Sequence, residues 1–415
     1  KAWSAKWLEE SGINTIATEV KENADGTIAS LTLNQTAPAE HPVLRPHRLA
    51  VGFYDEDPAT GKIVRTDRFE LDVDGESTVV AAAAGKKRPA FILVNDDDLT
   101  YTKLRFDADS LSFALANLQR FDDALARAVV WLSLWDMTRD GDLAAEKFID
   151  TTLALLATET ESTTFRYALS CMSTTAWHYT APDRRADVVK HVAKELWKLV
   201  IAAPGGSDQQ FQLVTAYLGY GEEGDAEFAE HAQGLFDGSL IVAGLEIDNN
   251  FTWTIINALS SVKLIDQAGI DAQLAKRDTT ENREFALGAH AVRGDAAAKE
   301  WAWNEALNNA DLTNMQLEAV ARGFGATPRP DLAEPYAAKY YDVVDWVWKN
   351  KSFHMAEALL EGLYPYYADP ATLVELGHRW LADHEDADNA LKRIVRGNVE
   401  SSQRTLKVRD FNAAL

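Results

Sequence analysis

One cysteine, Cys171, stands in 415 residues, so no intrachain disulfide can form and nothing in the fold depends on an oxidising compartment. It sits in the run Tyr167-Ala-Leu-Ser-Cys-Met, with no basic neighbour to lower its thiol, and reads as a buried, inert residue. Long hydrophobic runs are missing too. The longest, Val79 to Ala84, is mostly alanine, and a membrane helix needs ~20 apolar residues. No membrane partner is expected. Positive charge is scarce: 41 Lys and Arg face 64 Asp and Glu, a formal net charge of −23. Such a chain repels phosphate backbones and anionic lipid, which argues against a nucleic-acid partner. Solubility is the simplest consequence of the acidity, and a field attracting cationic peptides is the sharper one.

Catalytic motifs are absent as well. The histidines are His41, His47, His178, His191, His231, His290, His354, His378 and His384. A zinc-peptidase helix places two of them four apart around a glutamate, so that both rings meet one ion. No pair here has that spacing, and His384-Glu385 runs on into Asp-Ala-Asp. Asn95-Asp96-Asp97-Asp98 lacks the alternation of a calcium loop and reads as a charged loop between strands. Asp72-Val-Asp-Gly-Glu76 reads as a hairpin turn, and Asp140-Gly-Asp142 as a break with a helix cap. No phosphate-cradling loop ending in Gly-Lys-Ser or Gly-Lys-Thr occurs, no Gly-x-Gly-x-x-Gly follows a strand, and Gly-x-Ser-x-Gly is missing. No catalytic, cofactor-binding or metal-ligating residue is therefore assigned.

What is present is periodicity. Residues 1–11 read as the end of an amphipathic helix with Trp3, Trp7 and Leu8 on one face. A start of this kind, without methionine, is expected of a piece of a longer protein. Over residues 12–106 the apolar period is two: Ala29, Leu31, Leu33; Leu49, Val51, Phe53; Phe69, Leu71, Val73. Asp25-Gly26 and Asp74-Gly75 supply turns, and Phe91 to Val94 is a short all-apolar strand. These spacings predict a small β-sandwich. Over 107–415 the period becomes 3.6, as in Leu125, Val129, Leu132, Trp135 and in Val188, Val192, Leu196, Leu199. Breaks recur at Gly141, Gly206, Gly224, Gly238, Gly294 and Pro328, and Asp183, Asp208 and Asp331 are candidate helix caps. So many short helices predict a HEAT/ARM-like α-helical solenoid, giving a mainly α chain with an N-terminal all-β domain. Trp, Tyr and Phe number 12, 12 and 16; they serve as packing aromatics or as the lining of a peptide groove.

The strand region also carries a string: Trp7-Leu, Gly12-Ile-Asn-Thr15, Leu44-Arg-Pro-His-Arg-Leu49, Gly52-Phe-Tyr-Asp55, Arg68-Phe-Glu-Leu-Asp72 and Leu93-Val-Asn-Asp-Asp-Asp-Leu-Thr-Tyr-Thr-Lys-Leu-Arg105. It resembles the M1-family zinc aminopeptidases, in the actinobacterial branch of aminopeptidase N, just past their catalytic domain. Phe353-His-Met-Ala-Glu-Ala-Leu-Leu-Glu-Gly-Leu-Tyr-Pro365 resembles that family's ERAP1-like helical C-terminal domain.

The resemblance implies a parent enzyme that removes N-terminal residues from peptides. Its zinc would be held by a His-Glu-x-x-His domain upstream, with a Gly-x-Met-Glu-Asn loop for the substrate amine. Neither motif is here, since Met137, Met172, Met315 and Met355 precede Thr, Ser, Gln and Ala. The resemblance thus implies a non-catalytic region with no cofactor of its own, docking on the parent's zinc domain and walling a chamber for peptide substrates. It also implies a cytoplasmic location. Two other readings stay open from the residues alone: a free-standing solenoid scaffold, and a hydrolase with an unfamiliar site.

Overall fold

The computed structural model describes residues 2–415; Lys1 lies outside the described residues. The chain forms two compact units, Lys1–Met172 and Ser173–Leu415.

In the first unit, α1 (Ala2–Leu8) precedes strands β1 (Thr15–Glu22), β2 (Ile28–Thr36), β3 (His47–Glu56), β4 (Ile63–Val73), β5 (Ser77–Val79), β6 (Phe91–Asp96) and β7 (Lys103–Arg105). They make two small sheets, ordered β5-β2-β1-β7 and β4-β3-β6. The pairing is antiparallel except between β1 and β7, which run parallel with Thr15 opposite Lys103. The central strand β3 is buried on both faces, so Ala50 and Tyr54 join Leu49, Val51 and Phe53 in the core. Arg45 fastens α1 to this unit: its Nε donates to Lys6 O at 2.8 Å and its Nη2 to Glu10 O at 2.7 Å. Four helices follow: α2 (Ala108–Asn117), α3 (Ala124–Asp140), α4 (Ala145–Leu156) and α5 (Ser162–Thr174). α2 packs on β6, and α3 on β6 and β7.

The second unit stacks α6 (Arg185–Ala202), α7 (Asp208–Leu218), α8 (Ala226–Asp237), α9 (Asn249–Ser261), α10 (Gln267–Lys276), α11 (Thr280–Ala291), α12 (Ala296–Asn308), α13 (Asn314–Gly325), α14 (Pro330–Ala333), α15 (Ala337–Asn350), α16 (Phe353–Gly362), α17 (Pro370–Asp383) and α18 (Asn389–Ala413). The fold is thus mainly α after an N-terminal β region. A helix of ~12 residues is too short to stand alone in water, so each draws its stability from its neighbours. α11 lies against α13, α13 against α16, and α17 against α18. Gly323 permits a close approach of α13 to α11: a Cβ there would lie 2.7 Å from Gly288 O and 2.8 Å from Ala291 Cβ. A shared core runs from Ala291 to Val399, with Tyr340, Tyr364 and Leu359 at its centre. Among the described residues, no helix is long and apolar enough to cross a membrane.

Several local expectations are corrected. Ala29 is exposed while Ile28 and Leu31 are buried, because a register shift opposite Lys21 and Glu22 breaks the alternation. Asp74-Gly75 closes no hairpin; it leads from β4 in one sheet to β5 in the other. Leu125 and Leu132 are exposed, and α3 buries Ala126, Val130, Trp131 and Leu134 instead. A cap must sit in extended backbone one residue before the helix. Asp183, Asp208 and Asp331 do not: Arg184, Ser207 and Arg329 hold those positions, and only Ser207 bonds back to the helix. Side-chain caps come from Asp107, Asp123, Asp225, Asp248, Asp295 and Asp369 among others.

Candidate functional site

The histidines are scattered, and four of the nine serve as flat aromatic surfaces. His231 stacks on Trp197 at 4.0 Å between ring centres, His290 on Trp301 at 3.8 Å, His384 on Trp380 at 4.4 Å and His178 on Tyr367 at 4.7 Å. His47 is buried at the start of β3, its Nδ1 2.8 Å from Thr100 Oγ1. Burial and then the charge of Arg45 pull its pKa down to about 4. His354 faces Glu318 at 3.3 Å, and His378 Nε2 lies 2.7 Å from Gln403 Nε2. His41 and His191 are exposed. Among the described residues, no three His, Cys, Asp or Glu side chains converge as a metal site requires.

The acidic strings are used up by cations and turns. Asp96 accepts from the Tyr54 hydroxyl at 2.7 Å and from Arg65 at 2.8 Å, while Asp97 binds Arg65 and Arg68. Asn95, Asp97 and Asp98 adopt positive φ, which short polar side chains tolerate. The break at Asp140-Gly-Asp142 is present, α3 ending at Asp140 with Gly141 in left-handed backbone, but the two carboxylates cap no helix and pair with Lys103 and Arg105. Cys171 is buried, and burial pushes its thiol up to about 12. Such a thiol is no nucleophile at neutral pH.

Two features of the second unit escape sequence reading. The first is a groove over α11, α13 and α16. One depression of about 380 Å³ is lined by Glu318, Arg322, His354, Glu357 and Glu361. A neighbouring one of about 300 Å³ is lined by Glu284, Phe285, Met315 and again Arg322. Its carboxylates come from three helices far apart in sequence, so no local pattern marks it.

The second is a single π-turn, Thr175–Tyr179, closed by the Thr180 N–H donating to Thr175 O at 3.0 Å. Such turns are rare and concentrate at functional sites. This one packs against both α6 and α18. Arg409 Nε donates to His178 O at 2.8 Å, and Asn412 Nδ2 to Tyr179 O at 3.3 Å. A cavity of about 710 Å³ adjoins it, lined by Trp177, Ala186, Glu222, Glu223, Val262 and Arg329.

The family described as the ERAP1-like C-terminal domain matches residues 91–404. The chain belongs to this family. The whole chain also aligns with the aminopeptidase N of Streptomyces lividans at 34% identity over 420 residues. It spans about half the length of that relative, 48%. The ERAP1-like match opens at Phe91, the first residue of β6, and contains both the Leu93–Arg105 string and the Phe353–Pro365 string, whose first ten residues are α16. The groove and the π-turn both fall inside it.

Proposed function

We propose that this chain is the non-catalytic C-terminal region of a zinc metallo-aminopeptidase that removes N-terminal residues from peptides. In this reading, residues 12–106 form a β-sandwich domain and 107–415 the helical domain. Together they dock on a zinc domain outside this sequence and wall the chamber that holds the peptide. The observation that carries the proposal is the alignment itself, which runs through the entire chain yet takes in only 48% of an aminopeptidase N.

The acidity of the groove supports it. Zinc catalysis needs three protein ligands and an open position. In this reading a domain outside this sequence supplies them, and no hydrolytic step is derived for this chain. The groove lined by Glu284, Glu318, Glu357 and Glu361 is acidic, and it suits chains carrying a free amine or basic side chains.

The test is association. The 415-residue chain is mixed with the separately produced N-terminal half of its parent and run in sedimentation velocity. A stable one-to-one complex with restored alanyl-substrate turnover is expected. Two species that sediment independently would instead favour a free-standing scaffold.

A further inference from the structure

Although the chain has 64 acidic residues, several arginines of its second unit lack a carboxylate partner, and two of these, Arg185 and Arg409, are desolvated. Arg65, Arg68, Arg88, Arg105 and Arg127 all form ion pairs. Arg185 and Arg409 form none among the described residues. Arg409 is 8% exposed, and only its Nε is engaged, by His178 O. Its terminal nitrogens make no hydrogen bond and are not sealed from solvent. Arg185 opens α6, and its Nε is buried without a partner.

Both belong to one neighbourhood. α6 and α18 pack on the same π-turn. The Tyr367 ring stacks on His178 within that turn. The charges of Arg185 and Arg409 act on each other, and Tyr367 also lies in the field of Arg185. Burial and then the charge of Arg185 lower the Arg409 guanidinium to about 10. Two carboxylates, Asp369 and Glu222, act on the pair, and neither forms an ion pair with it among the described residues. Asp369 is committed to capping α17, accepting from Thr372 N at 2.9 Å and Thr372 Oγ1 at 2.8 Å. Glu222 acts on Arg185 without forming an ion pair, and burial raises its own pKa.

Two desolvated like charges beside a rare backbone turn are an unfavourable arrangement unless something negative joins them. The N-terminus of α6 has no side-chain cap, so its dipole favours the same sign of ligand. We propose that Arg185 and Arg409 form a binding site for a small oxyanion, with the Tyr367 hydroxyl as a third donor. Planar guanidinium forks match the oxygens of a phosphate or a compact dicarboxylate, and either presents the two negative charges that offset the pair. This site is separate from the acidic groove and does not depend on the aminopeptidase reading.

The experiment is calorimetric titration of the 415-residue chain with inorganic phosphate in one arm and malonate in the other, with sodium chloride holding ionic strength constant. Saturable one-to-one binding in at least one arm is expected, and the tighter arm identifies the oxyanion class. Arg185→Gln, at a partly exposed position, is expected to weaken that binding at least about tenfold. Arg409→Lys keeps the charge but removes the fork, and it is expected to weaken binding as well. Thermal melts of both variants without anion verify folding. No saturable binding in either arm, or binding unchanged in Arg185→Gln, would overturn the assignment.

Discussion

Arg127→Met is expected to lower the stability of the first unit by about 3–5 kcal/mol, the usual consequence of stranding a buried charge. Arg127 and Glu159 are 9% and 4% exposed and form a two-pronged pair, with Nε to Oε2 at 2.8 Å and Nη2 to Oε1 at 3.0 Å. Arg127 also donates to Phe121 O at 2.7 Å, and Glu159 accepts from the backbone of Thr160 and Glu161. The pair thus joins α3 to the turn after α4 and to the end of the segment after α2. Truncating the arginine leaves the Glu159 carboxylate buried with two backbone donors only. Urea unfolding followed by circular dichroism measures the loss, and a change below about 1 kcal/mol would mean that water reaches the site. Arg127→Met combined with Glu159→Leu is expected to recover part of it, because the orphaned charge is removed.

The pH dependence follows from the same pair. Burial raises the Glu159 pKa, but hydrogen bonds from Arg127 and from the Glu161 and Thr160 amides outweigh it, so the folded value lies below the ordinary one of 4.5. A carboxyl with a depressed folded value contributes stability above its unfolded pKa and loses it as pH falls through the folded one. The wild-type chain is therefore expected to lose this contribution only in acid below about 4.5. In Arg127→Met the largest cause of the depression is gone, so the acid-dependent part of the stability is expected to shrink.

Lys299→Met is the second large expected effect. The side chain is 2% exposed, and its amine nitrogen donates to Ala291 O at 2.7 Å, Gly323 O at 3.2 Å, Phe324 O at 3.1 Å and the Thr327 hydroxyl. Those carbonyls are the unsatisfied ends of α11 and α13. A lysine from α12 therefore closes two helices at once. Methionine fills similar volume but donates nothing, so several buried carbonyls lose their partner at about 1–3 kcal/mol each. A total near 3 kcal/mol is expected, lowering the melting temperature by roughly 10 °C for a unit of this size. Burial draws the Lys299 pKa down from 10.5 to about 7. Between those values the unfolded chain binds the extra proton, so stability is expected to rise with pH across that window. Lys299→Met should flatten the rise. Unchanged melting would show that water can replace the amine, and an unchanged alkaline limb would show that the rise does not come from Lys299.

The sequence carried the architecture further than the local detail. The change from a period of two to 3.6 near residue 107 reflects a real change from sheets to helices, because burial on one face imposes that spacing. Phe91 to Val94 was legible as a fully buried strand for the same reason. Caps were not: Asp208 and Ser207 are neighbours of similar chemistry, and only backbone geometry decides which of them bonds to the helix. The stripe through Leu125 and Leu132 misled because α3 is covered on more than one side. The groove and the arginine pair were invisible for a different reason. Glu318 and Glu361, or Arg185 and Arg409, come together only through stacking, and the sequence separation between them carries no pattern.

The most direct measurement is zinc titration by calorimetry on the dialysed chain, followed by assay of the same samples with an alanyl p-nitroanilide. With the nine imidazoles dispersed as described, no stoichiometric high-affinity zinc and no turnover above buffer are expected. One tightly held zinc per chain, accompanied by release of nitroaniline, would contradict the assignment of this chain as the non-catalytic half of an aminopeptidase.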